Sequence, residues 1–166
     1  MGTPIAEHYC FCCGLCRVKH HEDLCPDCER IFERYKRKIF VFGSNSKGIH
    51  ESGAAKAAVA RHGAIFYRGT GFQGDSYAIP TKDDKLKPLP LFDINYSIVV
   101  FNEYVKIHKE LLFIVTKVGC GAAGYKTSEI RPMFQEIFEK ENVLFDRGWQ
   151  LPNPLYLAAK QLKKNK

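Results

Sequence analysis

Twice in this chain an apolar run of strand length ends at glycine and passes, through a loop of small residues, into a helix-forming stretch. The first unit is Ile39-Phe40-Val41-Phe42, then Gly43-Ser44-Asn45 with Gly48 and Gly53 following, then the alanine-rich Ala54–Arg61. The second is Leu111–Val118, then Gly119-Cys120-Gly121-Ala122-Ala123-Gly124-Tyr125, then Ser128–Lys140, which carries Ile130, Met133, Phe134, Ile137 and Phe138 at helical spacing. Strands at Ala64–Tyr67 and Ser76–Pro80 and a helix over Asp93–His108 are expected between the units, and a short amphipathic helix over Glu29–Lys38 before them. The stretch Asn142–Leu157, with two prolines, fits no clear element. Strands alternating with helices imply an α/β layered domain around a parallel or mixed sheet.

The loops point to the chemistry. Glycine lets a backbone approach a ligand closely, and N–H groups at a helix start cradle phosphate oxygens. Two such loops on one sheet edge suit a ligand with two phosphates, against the plainer reading that the glycines only make tight turns. The segment Gly69-Thr70-Gly71-Phe72-Gln73-Gly74 has the spacing of a dinucleotide-binding fingerprint but runs into a strand-like Ser76-Tyr77-Ala78-Ile79-Pro80 rather than a helix, so that reading is rejected. No Walker A lysine motif is present.

Six of the seven cysteines fall between Cys10 and Cys28. C-x-x-C turns aim two sulfurs at one point, and two turns complete the tetrahedral thiolate set of a structural zinc ion. Gly14 favours Cys10, Cys13, Cys25 and Cys28 as the ligands, with Cys16 as the alternative to Cys10. Met1–His8 contains no apolar core of a secretory signal, so a disulfide framework is disfavoured and a reducing, cytoplasmic setting is expected. Such a site is closed and folds its segment without catalysing.

The organisation expected is a zinc-ribbon-like module with a short helix over 1–38, an α/β domain over 39–157 and a basic tail over 158–166. The chain of 166 residues carries a net charge of +7, and no apolar run approaches a membrane span. Basic residues exceed acidic ones by one in 1–38, two in 39–150 and four in 151–166. Most of the excess thus lies in Lys160, Lys163, Lys164 and Lys166, which a solvated tail explains without a dedicated nucleic-acid face.

Four blocks in order, Phe42-Gly43-Ser44-Asn45, Gly53-Ala54-Ala55-Lys56-Ala57, Ile79-Pro80-Thr81-Lys82 and Val118-Gly119-Cys120-Gly121-Ala122-Ala123-Gly124, resemble a macro domain. The resemblance spans Ile39–Phe138 and is nearest to the branch of the DNA ADP-ribose glycohydrolase antitoxin DarG and the terminal ADP-ribose protein glycohydrolase. It implies a three-layer α/β/α fold that holds ADP-ribose, or an ADP-ribosylated nucleic acid or protein, at the crest of the sheet. By that resemblance Asn45 sits near the distal ribose, and the loops Gly48–Gly53, running into Ala54, and Gly119–Tyr125 wrap the diphosphate, with Gly119, Cys120, Gly121, Ala122, Ala123 and Gly124 in contact. The resemblance also implies that Thr81 lines the site, that Tyr125 stacks against or covers the distal ribose, and that Lys82 is the nucleophile that attacks its anomeric carbon. The branch and the small size also imply a bacterial or phage setting.

A lysine attacks only where its surroundings free its lone pair, and Asp83 and Asp84 next to Lys82 oppose that. Ala123 stands where the protein-directed enzyme has an aspartate, and the strand and turn that supply the adenine-binding acid are absent, their place taken by the cysteine segment. Cys120 reads as a small buried residue rather than a nucleophile, because no histidine is patterned beside it. Three functions compete: an ADP-ribosyl glycohydrolase, a non-catalytic reader or sequestering module for ADP-ribose or a related nucleotide signal, and a zinc-anchored interaction protein with a degenerate pocket.

Overall fold

A computed structural model describes residues 8–9, 17–18, 26–146 and 149. Strands β1 (His8–Tyr9) and β2 (Arg17–Val18) pair antiparallel. Helix α1 (Pro26–Phe32) precedes β3 (Arg37–Asn45), α2 (Gly53–His62), β4 (Gly71–Gln73), β5 (Ser76–Lys82), α3 (Leu91–Ile107) and β6 (Leu111–Val115). Helix α4 (Thr127–Ile130) continues as a 3-10 segment, Arg131–Ile137, and β7 (Val143–Phe145) follows. Cys10, Cys13, Cys16 and Cys25, together with the basic tail, lie outside the described residues, and of Cys28 only the backbone, in α1, is described. No described helix is long and apolar enough to cross a membrane.

The large sheet has the order β4-β5-β3-β6-β7, with β5, β3, β6 and β7 mutually parallel and β4 antiparallel on its edge. Side chains alternate across a strand, so one apolar run feeds two cores. Ile39, Val41, Tyr77, Ile79, Phe113 and Val115 pack with Ile94, Ile98, Phe101 and Val105 of α3 and with Ile130, Phe134 and Ile137. Phe42 and Ala78 face the other way, onto Ala55 and Ala58 of α2. The result is three layers, α/β/α, around a mixed sheet. Each large side chain buried on the α3 face contributes roughly 1.5–3 kcal/mol, so this is the face that holds the domain together.

Four expectations are corrected. The helix over Glu29–Lys38 stops at Phe32, and Arg37 and Lys38 begin β3, because their backbones pair with Leu111 and Leu112 while their side chains stay exposed. Ala64–Tyr67 is a turn rather than a strand: Ile65, Phe66 and Tyr67 are all exposed, and the Tyr67 N–H bonds to the Gly48 carbonyl instead of a ladder. The helix over Ser128–Lys140 is α-helical only to Ile130, because Pro132 lacks the N–H that would continue it. Its apolar residues are buried all the same, since spacings of three and four suit either helix. The strand at Leu111–Val118 ends at Val115, which releases Thr116 and Lys117 onto the crest. In the unassigned C-terminal stretch, Val143–Phe145 forms the edge strand, and the buried Trp149 ring N–H donates to the carbonyls of Val115 and Thr116 at 3.1 and 3.0 Å.

Candidate functional site

Ligands of open α/β sheets sit beyond the carboxyl ends of the strands, where the connections diverge. Here β3 is that place: the chain leaves it through α2 toward β5 and returns across α3 to β6 on the other side. A cleft of about 130 Å³ opens there, lined by the ends of β3, β5 and β6 and by both glycine loops. The register of β3 on β5 shifts between Ser44 and Asn45, which sets Asn45 opposite Lys82, and the Ser46 N–H donates to the Lys82 carbonyl at 2.9 Å. The second loop packs beside the end of β3, where a Cβ on Gly43 would lie 3.4 Å from the Gly119 nitrogen.

The backbone donors around the cleft are the main finding. At the start of α2, Ser52 makes no side-chain cap, and the first intrahelical bond is Lys56 N–H to the Ser52 carbonyl at 3.1 Å. The N–H groups of Gly53, Ala54 and Ala55 are therefore without an acceptor, as at any uncapped helix start. In the second loop Gly124 N–H bonds to Gly121 O and Tyr125 N–H to Gly119 O, closing the loop on itself. The N–H groups of Gly121, Ala122 and Ala123 have no acceptor among the described residues. Both triplets line the same cleft.

Of the expected site residues, Asn45, Gly53, Ala54, Thr81, Lys82, Gly119, Gly121, Ala122 and Ala123 line the cleft. Asn45 is committed to shaping it: the amide nitrogen donates to the Ile49 carbonyl at 2.6 Å and the amide oxygen accepts from the Ile49 N–H at 3.0 Å. Thr81 is buried with its hydroxyl donated to the Ser44 carbonyl at 3.2 Å. The other four are held elsewhere. Gly48 faces the Tyr67–Arg68 backbone, Gly124 and Cys120 do not line the cleft, and Tyr125 donates its hydroxyl to the Leu89 carbonyl at 2.6 Å, packed against the α3 core. Ile49 and Ser52 line it from within the loop Gly48–Gly53, and Gly43, Ser44, Ala55, Thr116 and Lys117 line it without having been singled out. The signal for the last two was their position just past a parallel strand.

Lys82 is half-buried, and its ammonium makes no hydrogen bond or ion pair among the described residues. One carboxylate oxygen of the neighbouring Asp83 accepts the N–H groups of Lys85 and Lys87 at 2.9 and 2.8 Å and closes its own turn. No carboxylate lines the cleft, whereas Lys82 and Lys117 both do. A paired-carboxylate glycosidase mechanism has no footing there.

A broader hollow of about 530 Å³ adjoins the cleft, sharing Ala54, Thr116, Lys117 and Gly121 with it. Phe40, Ile114 and Cys120 wall it, and Asp146, just past β7, stands at its rim. Burial pushes the Cys120 thiol up from its ordinary pKa, with the Lys117 ammonium opposing, and the thiol packs against the core and donates to the Val118 carbonyl at 3.5 Å. This is an inert thiol. Among the described residues no three histidine, cysteine or acidic side chains gather as a metal site.

No protein-family model matches this chain, and no curated protein does. Three solved structures do. A Bacteroides thetaiotaomicron protein of unknown function is 15% identical over 66% of this chain and 85% of its own, at a TM-score of 0.48. A macrodomain protein from Streptomyces coelicolor is 12% identical over 66% and 85%, at 0.45. A second Bacteroides thetaiotaomicron protein is 16% identical over 65% and 86%, at 0.44. With TM-scores below 0.5, the fold assignment rests on the strand order and layers described above.

Proposed function

We propose that the cleft binds ADP-ribose, seating the diphosphate between its two sets of backbone donors. The observation that carries this reading is the pair of triplets, Gly53-Ala54-Ala55 and Gly121-Ala122-Ala123, whose N–H groups lack acceptors around a cleft bordered by lysines and no acid. N–H groups left over at a helix start and in a glycine loop are ready donors for an anion. Two phosphates in tandem answer both triplets. The adjoining hollow suits the adenine, with Phe40 and Ile114 against the ring.

The same reading gives Lys82 a role in releasing ADP-ribose from a nucleic-acid or protein carrier. Its neutral amine forms a bond to the anomeric carbon of the distal ribose as the bond to the carrier breaks and the carrier leaves with a proton. The adduct opens to an imine, and water hydrolyses it to free ADP-ribose and the regenerated amine. The support is the placement of Lys82 in the cleft, half-buried and without an ion-pair partner among the described residues. The competing reading is a reader without turnover, favoured by Ala123 in place of an acid and by the absence of any carboxylate along the cleft. ADP-ribosylated DNA and ADP-ribosylated protein, each incubated with wild type and Lys82→Ala, separate the two. Release by wild type alone supports the hydrolase, and binding of ADP-ribose with no release from either carrier leaves the reader.

A further inference from the structure

Next to the cleft the chain displays aromatic rings on a strained but well-held turn. Tyr67 is 82% exposed and has φ 66°, a left-handed conformation that a bulky residue rarely adopts. Ile65 and Phe66 beside it are also exposed, and the Phe66 and Tyr67 rings lie 6.3 Å apart. The Phe66 ring lies 6.0 Å from that of His50, whereas Tyr67 gains little burial from this arrangement.

The turn is nevertheless fastened on every side. Tyr67 N–H donates to Gly48 O at 2.8 Å, Ile65 N–H to the Gln73 side-chain oxygen at 2.7 Å, and the Gln73 amide to Arg68 O at 2.9 Å. The Ser44 hydroxyl donates to Gly69 O. Buried His50 lies 3.2 Å from Arg68 O through Nε2, a pairing that needs the hydrogen on that nitrogen, and its ring meets Phe42 edge-on at 5.2 Å. Gly48 and Gly69 allow the two loops to touch: a Cβ would lie 2.3 Å from the Arg68 nitrogen at the first and 2.1 Å from Asn45 O at the second. The exposed rings are thus pinned to the Asn45–Ile49 turn, whose other side lines the cleft.

The segment that carries this turn is also basic. Residues 44–69 hold Lys47, Lys56, Arg61 and Arg68, all exposed, against Glu51 alone. That is an excess of three basic residues, while 39–150 as a whole has an excess of two, so the rest of the domain is slightly acidic.

We propose that this tip contacts single-stranded nucleic acid, with Tyr67 and Phe66 stacking on unpaired bases and Arg68 and Lys47 meeting the phosphates of a strand that leads away from the cleft. Rigid exposed rings among cations are what sequence-tolerant single-strand binding uses, because every base has a face to stack and every nucleotide a phosphate. An acidic protein surface would need the cations but not the rings. The proposal rests on the reading of the cleft only in making that strand the carrier of the ADP-ribosyl group.

The test is fluorescence anisotropy with a labelled oligothymidine of about 12 nucleotides, alongside an ADP-ribose titration of the same proteins. Wild type should bind the strand more weakly as salt rises. Tyr67→Gly, which keeps the left-handed backbone and removes the ring, should lose about tenfold in affinity, Tyr67→Phe should keep most of it, and neither should alter ADP-ribose binding. The proposal falls if wild type does not bind the strand, if Tyr67→Gly binds it equally well, or if poly-glutamate displaces it as effectively as unlabelled oligothymidine. Strand binding without ADP-ribose binding would instead remove the cleft reading and leave the tip standing.

Discussion

Replacing Gly48 with alanine tests whether the two loops beside the cleft interlock as described. Gly48 has φ 69°, where a side chain costs about 1–2 kcal/mol. The new Cβ would also lie 2.3 Å from the Arg68 nitrogen and 2.5 Å from the Tyr67 carbonyl carbon, both backbone atoms that cannot swing aside. Displacing a packed backbone costs about 1–3 kcal/mol, so the two effects together come to roughly 3 kcal/mol against a usual total of about 5–15. For a chain of this size that lowers Tm by roughly 6–12 °C. Gly121→Ala is the matched control, because its Cβ would meet nothing within 4 Å and its φ is not positive; it should stay within about 0.5 kcal/mol of wild type. Thermal unfolding followed by circular dichroism reads both. A Gly48→Ala protein melting within about 2 °C of wild type would refute the interlock.

Three further outcomes follow. Burial first, and the adjacent Arg61 charge second, hold the His62 pKa below its usual value against the opposing pull of Asp75, while the ring stacks on Phe40 at 4.3 Å. Below about pH 6.5 the unfolded chain then takes up a proton that the folded chain resists, so the urea midpoint should fall on acidification through that pH, and His62→Gln should flatten the slope; an unchanged slope contradicts the assignment. The Cys120 thiol, its pKa raised by burial, should be alkylated by iodoacetamide more slowly than a free cysteine, as peptide mapping would show, and equal rates would contradict it. Metal analysis should give one zinc per chain, held by Cys10 or Cys16 with Cys13, Cys25 and Cys28; a folded, metal-free protein would overturn that proposal.

The α/β class was legible because β3 and β6 contain the continuous apolar runs Ile39–Phe42 and Leu111–Val115, as parallel strands covered on both faces require. Their adjacency was not, since strand order depends on where α2 and α3 cross, and only adjacency brings the two loops to one cleft. Asn45 and Lys82 were readable from local motifs, yet their pairing across β3 and β5 needs the register shift after Ser44, which leaves no mark in composition. Tyr125 was assigned through the resemblance, and its hydroxyl bond to the Leu89 carbonyl joins residues too far apart in the chain for any local motif to show it. Ile65-Phe66-Tyr67 looked like a strand because apolar content alone does not reveal a turn; the clue was Gly63 before it and Gly69 after it. The positive charge was assigned to the tail by counting over long segments, which averaged away the basic stretch 44–69.

The central claim is that two backbone triplets hold a diphosphate. Calorimetric titration with ADP-ribose, run beside adenosine monophosphate, tests it most directly. One-to-one binding in the micromolar range, clearly weaker for the monophosphate that leaves one triplet unanswered, is the expected result. No heat at millimolar ADP-ribose, or equal affinity for the two nucleotides, would contradict the account.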